Sequence, residues 1–239
     1  MKKNLLSVTG KIMLAVLCMG LLVGCSNDSK ESSTGKKPNG TGSNDNEQKE
    51  ESQGVDLGKK ITTTGTVLKD GKLLVIAKNN NKVAVEMEIE VEFYDADGKI
   101  VGSDKQQLFA VGPNREIAVQ MYDTPDNFDN YKIYADAEKA EESYTTYFDQ
   151  IEVVHNNNGE EIIVQVKNNS KDVIDEMDVS VVYYQGDKAV GIDYDMESEI
   201  KSGRSANFTF YYPEDQNYNE VKFDSYKVFV NEAYTFAWD

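Results

Sequence analysis

From Val83 onward, apolar and charged residues alternate with a period of two. Val85, Met87, Ile89, Val91 and Phe93 are separated by Glu86, Glu88, Glu90 and Glu92. Such a pattern predicts a strand with one face on a core and the other in water. The same alternation returns at Met177, Val179, Val181 and Tyr183. There, Val181-Val182-Tyr183-Tyr184 is apolar on both faces, which predicts a central strand. Turn dipeptides separate the runs: Asp70-Gly71, Asp97-Gly98, Gly112-Pro113, Asn158-Gly159, Gly186-Asp187 and Ser202-Gly203. Helical periodicity is nearly absent after the first two dozen residues. The exception is Ala135 to Glu142, which reads as one or two helical turns or as a strand running on into a polar linker.

The pattern occurs twice. Leu73 to Lys82 (LLVIAKNNNK) matches Ile162 to Lys171 (IIVQVKNNSK). Met87, Val91 and Tyr94 recur as Met177, Val181 and Tyr184, and Val101-Gly102 recurs as Val190-Gly191. Arg115 meets Arg204, and Tyr131-Lys132-Ile133-Tyr134 recurs as Tyr226-Lys227-Val228-Phe229. Two copies of this size are self-contained domains, not solenoid units. The expected fold is all-β, two tandem immunoglobulin-like β-sandwich domains of six or seven strands each. The boundaries are 59–142 for the first repeat and 143–239 for the second.

The chain opens differently. Lys2, Lys3 and Lys11 precede an apolar run from Ile12 to Val23, followed by Gly24 and Cys25. The run is too short for a membrane span and reads as a signal peptide over residues 1–24. Leu22-Val23-Gly24-Cys25 resembles the lipobox of bacterial lipoproteins. That resemblance implies lipidation of Cys25, with palmitate-type acyl chains, and anchoring on the extracellular face of the bacterial cell membrane. Several acyl chains are needed for a stable hold, at about 0.8 kcal/mol per buried methylene. Residues 25–58 then form a disordered polar linker with no aliphatic or aromatic residue before Val55. As a flexible coil it would span about 30 Å.

At Val91-Glu92-Phe93-Tyr94-Asp95, before the turn Ala96-Asp97-Gly98, the sequence also resembles the FxLYD domain of bacterial surface lipoproteins. Val91 and Phe93 replace the family's Phe and Leu, and the second copy keeps only Tyr184. The resemblance implies an immunoglobulin-like sandwich and carries over no catalytic residue.

Composition narrows the function. There are 25 basic and 42 acidic side chains, for a net charge of −17. Such a surface repels nucleic acid, and no basic stripe exists to overcome it. The only cysteines are Cys18, inside the leader, and Cys25, so no disulfide or thiolate site is available to the folded part. His155 is the single histidine and reads as a surface or turn residue. Asp95-Ala96-Asp97-Gly98 resembles part of a calcium loop but reads as a hairpin turn. The candidate binding loops are equivalent in the two copies. The first carries Tyr122, Asp123, Asp126, Phe128 and Asp129, and the second Tyr212, Glu214, Asp215 and Tyr218. Their carboxylates suit calcium, and their aromatics suit a glycan or peptide. Tyr234, Phe236 and Trp238 alternate as a last strand with its aromatic face on a core or junction.

The expected protein is a non-enzymatic surface binding or accessory module. It needs no cofactor and no catalytic residue, and its partners are the membrane, through the lipid, and an unidentified surface protein or glycan. Calcium-dependent adhesion or a structural stalk, and a cell-envelope hydrolase, are the alternatives.

Overall fold

A computed structural model describes residues 56–237. The signal segment, Cys25, nearly all of the polar linker and Trp238 lie outside the described residues. The described chain is built from strands, with one three-residue 3-10 turn at Gly58–Lys60. The first half contains β1 (Ile61–Val67), β2 (Leu73–Asn79), β3 (Val85–Tyr94), β4 (Ile100–Val111), β5 (Glu116–Met121) and β6 (Asn130–Lys139). The second contains β7 (Tyr144–Thr146), β8 (Ile151–Asn157), β9 (Glu161–Asn168), β10 (Ile174–Gln185), β11 (Lys188–Ile200), β12 (Ser205–Tyr211) and β13 (Ser225–Phe236). The segment Ala135 to Glu142 begins as strand: β6 runs through it to Lys139.

All pairings are antiparallel, and every ladder joins strands of the same half. The sheets are β1-β2-β5 and β4-β3-β6 in the first half, and β12-β9-β8 and β11-β10-β13-β7 in the second. Each pair of sheets encloses a core. Leu73, Val75, Met87, Ile89, Val91 and Phe93 fill the first. Val164, Met177, Val181, Tyr183, Phe208 and Phe210 fill the second. Fully burying one such ring or aliphatic side chain stabilises by about 1.5–3 kcal/mol.

A third apolar cluster joins the halves: Leu68, Leu74 and Ala118 meet Val182, Ala189 and Phe229. Leu74 points away from its neighbours Leu73 and Val75, and Val182 away from Val181 and Tyr183, as strand alternation requires. Sheets β1-β2-β5 and β11-β10-β13-β7 are therefore covered on both faces. The described chain is a stack of four sheets with three apolar layers between them. The doubly apolar Val181 to Tyr184 run belongs to this buried central strand.

The repeated sequence marks repeated hydrogen bonds. Asn79, at the end of β2, is fully buried. Its Nδ2 donates to the carbonyls of Val83, Val111 and Gly112, each at 3.0 Å, and its Oδ1 accepts from Asn81 N. Asn168, at the end of β9, donates to Asp172 O and Ile200 O, both at 2.8 Å, and accepts from Ser170 N. In each copy one amide ties the end of one sheet to the last residue of a strand in the facing sheet. The backbone follows suit: Asn79 N donates to Arg115 O, and Asn168 N to Arg204 O. The repeated Val-Gly is equally structural. A Cβ on Gly102 would fall 2.5 Å from Pro125 Cγ, and one on Gly191 2.2 Å from Pro213 Cβ.

Removing the Asn79 amide takes a donor from Val83 O and Val111 O, while Gly112 O keeps Arg115 N; removing that of Asn168 takes one from Ile200 O, while Asp172 O keeps Ser170 Oγ. Asn79→Ala and Asn168→Ala are each expected to lower unfolding free energy by about 2–4 kcal/mol. Urea denaturation followed by circular dichroism measures this, and a loss below about 0.5 kcal/mol for both would refute the latch.

Candidate functional site

The polar contact between the halves is built on two β-bulges. Most of β13 alternates, with Tyr226, Val228 and Val230 turned towards the second core and Lys227 and Phe229 away from it. The pairing with β10 then slips between Asp178 and Val179, and Asn231 becomes the extra residue. A bulge re-aims the side chains beyond it. Asn231 and Glu232 thus both point at the first half, while Ala233 returns to the second core. The facing strand β4 carries its own irregularity, between the pairings of Val85 and Met87, and there Phe109 and Ala110 are left without partners on β3.

Glu232 Oε1 accepts from Phe109 N at 2.6 Å and Ala110 N at 2.9 Å. Asn231 pairs amide to amide with Ala118 on the outer edge of β5: Ala118 N donates to Oδ1 at 2.9 Å, and Nδ2 donates to Ala118 O at 3.1 Å. Asn231 Nδ2 also reaches Ser180 Oγ at 2.8 Å, and Ser180 Oγ donates to Ala118 O. Asn231 and Glu232 are 1% and 4% exposed, so these edge amides are satisfied without water.

Beside this contact lies a cleft of about 200 Å³. Its walls include Gln106 and Gln107 of β4, Glu176 and Asp178 of β10, Tyr194 of β11 and Tyr122 after β5. Among the described residues no Lys, Arg or His lines it. Burial pushes the Glu232 carboxyl up to about 7, against the pull of its two backbone donors, and the charges of Asp178 and Glu176 add to the rise. Burial also pushes Asp178 up to about 7, opposed by the amide of Asn231 and assisted by Glu176. Tyr194 is raised to about 12, first by burial and then by Asp178. The cleft is hence a hydrogen-bonding, acid-rich concavity in which the Asp178 and Glu232 carboxyls carry protons towards neutral pH.

The sequence candidates are distributed unevenly around it. Tyr122 lines the cleft. Phe128 does not, because its ring packs edge-on against Phe93 in the first core. Tyr212 packs on Phe223 and donates to Asn157 Oδ1 at 2.7 Å, so it closes the end of the second sandwich. Tyr218 is 85% exposed at a loop tip. Asp215 Oδ1 accepts from Asn217 N and Asn219 N, capping its own turn, and this holds its carboxyl below the ordinary range. Glu214 bridges to Glu220 through the backbone, and Asp123 N donates to Asp104 Oδ2. Asp126 and Asp129 lie in the loop before β6, where Asp129 N donates to Tyr94 O. Among the described residues no three His, Cys, Asp or Glu side chains converge to hold a metal. Asp95 Oδ1 accepts from Asp97 N and Lys99 N, a hairpin turn. The cleft's own acids, Glu176, Asp178 and Glu232, were not candidates in the sequence. The visible trace of Glu232 is the pair Asn231-Glu232, which breaks the alternation of an otherwise regular strand.

No family model matches the chain, and no curated protein matches it. Among solved structures it is similar to red sea bream transglutaminase, at 9% identity and a TM-score of 0.23. That likeness covers 64% of this chain and spans 27% of the other, and it is too slight to carry fold or activity across.

The raised carboxyls fix a pH dependence. Both bind protons in the folded chain at a pH where the unfolded chain has lost them. Stability therefore falls as pH rises from about 4 through 7, by on the order of 1–3 kcal/mol per carboxyl. Thermal melts at pH 5 and pH 8 are expected to show the higher midpoint at pH 5. Asp178→Asn and Glu232→Gln should each flatten the difference, and an unchanged slope in both would refute the assignment.

Proposed function

We propose that the protein is an extracellular lipoprotein, anchored through acylated Cys25, whose paired sandwiches act as a non-enzymatic binding or accessory module. The observation that carries the reading is Leu22-Val23-Gly24-Cys25 behind a basic, apolar leader. A strongly acidic folded part on a polar tether suits presentation away from an anionic surface. The repeated asparagines and two turn aspartates support the non-enzymatic half of the reading. Asn79, Asn168, Asp95 and Asp215 spend their hydrogen bonds within their own half, mostly on its backbone. The resemblance to FxLYD domains is part of the same proposal.

One observation favours a second reading as a hydrolase of the cell envelope. Asp178 and Glu232 share a cleft and retain protons near neutrality, as an acid catalyst must. Against it, Glu232 is almost wholly enclosed and its Oε1 is committed to two backbone donors.

Metabolic labelling with palmitate tests the anchor. The wild-type chain is expected to incorporate label and sediment with membranes, and Cys25→Ser to lose the label and appear in the soluble fraction. Label retained by Cys25→Ser would overturn the proposal.

A further inference from the structure

The two copies differ where their sheets should close. In the first, β1 lies at one sheet edge and β6 at the edge of the facing sheet. They approach closely, and Tyr131 Oη donates to Gly65 O at 2.9 Å. This closure depends on glycine: a Cβ on residue 65 would fall 2.7 Å from the Tyr131 ring and 2.9 Å from Ile133 Cδ1. In the second copy the equivalent strands are β8 and β13, and the residue matching Gly65 is His155. An imidazole cannot fit where a methyl group would already clash. Tyr226, the counterpart of Tyr131, meets the His155 ring edge-on and bonds its Nδ1 at 3.0 Å instead of a backbone carbonyl.

The second sandwich is thereby held open. A groove of about 580 Å³ runs between β8 and β13. Ile151 and Val153 line one side, and Val228 and Val230 the other. The β8 wall is a free strand edge. β8 is the last strand of its sheet, whereas β13 is covered by β7 at Tyr234 to Phe236 and met by β5 through Lys227 and Asn231. β8 is exposed along nearly its whole length, with Val154 at 56%, and it has no Pro, Lys or bulge to discourage pairing.

The groove's charge is opposite to that of the protein. Lys78, Arg115 and Lys227 line it with one lining carboxylate, Glu116, and Arg115 Nη2 also holds the exposed Asp149 at 2.6 Å, so three cations meet two carboxylates in a chain of net charge −17. Glu116 holds Lys227 at 2.7 Å and Lys78 at 3.8 Å, which fixes both ammonium groups at the rim.

We propose that this groove receives an extended peptide segment of a partner protein, which adds as a strand to β8 and sets carboxylate side chains against Lys227, Lys78 and Arg115. Backbone pairing would supply affinity, the apolar walls would take alternate side chains, and the cations would select acidic sequences. The inference rests on the binding-module reading and names its partner class. It fails independently of the anchor, because palmitate labelling of Cys25 does not depend on the groove.

The test uses the full chain and a dye-labelled octapeptide alternating valine and glutamate, followed by fluorescence anisotropy. Saturable binding is expected, weakened about tenfold by Lys227→Gln combined with Arg115→Gln. Two further peptides carry backbone N-methyl groups, on the valines in one and on the glutamates in the other. A strand bonded along one edge uses alternate N–H groups, so one methylated peptide should lose binding and the other keep it. Absence of binding by the parent peptide would overturn the proposal, as would equal behaviour of the two methylated forms. Octaglutamate binding as well as the parent would reduce the groove to a cationic patch and would also overturn it. Thr63→Val in the closed first copy, where β1 holds the place of β8, should leave binding unchanged.

Discussion

Two strand edges of the first half face the second half with backbone groups that no strand satisfies. Buried amide groups left unpaired cost about 1–3 kcal/mol each, so the contact between the halves must answer them. Asn231 answers Ala118 on β5, and Glu232 answers Phe109 and Ala110 on β4. Both side chains reach across because a bulge in β13 places two consecutive residues on one side of the sheet. The apolar contact of Leu74, Ala118, Val182 and Phe229 is non-directional and would tolerate sliding. The directional bonds of Asn231 and Glu232 fix the register of one sandwich on the other.

That solution has an electrostatic consequence. A carboxylate brought in to satisfy two N–H groups is itself desolvated, and Asp178 and Glu176 stand nearby without a lining cation. The acid-rich cleft and its pH dependence are thus by-products of joining two sheet edges. The opposite side of the junction developed differently. There Lys78, Arg115 and Lys227 gather around the seam that His155 holds open. The two halves carry equivalent strands, and His155 in place of Gly65 goes with the unequal closure of their edges.

Much of the fold was legible because alternation, turn glycines and the repeated Lys-Asn-Asn motif are local signals. Gly71, Gly98, Gly159, Gly186 and Gly203 all adopt the left-handed backbone that their turns require. The ambiguous Ala135 to Glu142 segment became strand because β3 offered a ladder as far as Lys139, and pairing outweighed helix propensity. The candidate loops read less well. A carboxylate, amide and aromatic set looks the same whether it binds a ligand or caps a turn, and Asp215, Tyr212 and Phe128 are engaged within their own sandwich.

The sequence by itself determined the all-β class, the duplication, the place of the turns and the one strand apolar on both faces. Each follows from the order of residues along a single strand or its nearest turn. Only the tertiary structure decided that the halves stack as four sheets, that Asn231 and Glu232 face Ala118 and Phe109, and that His155 stands where Gly65 closes the other copy. Those facts concern residues up to 123 positions apart. Which atoms meet there depends on bulges and sheet edges, and these are set when strands pair.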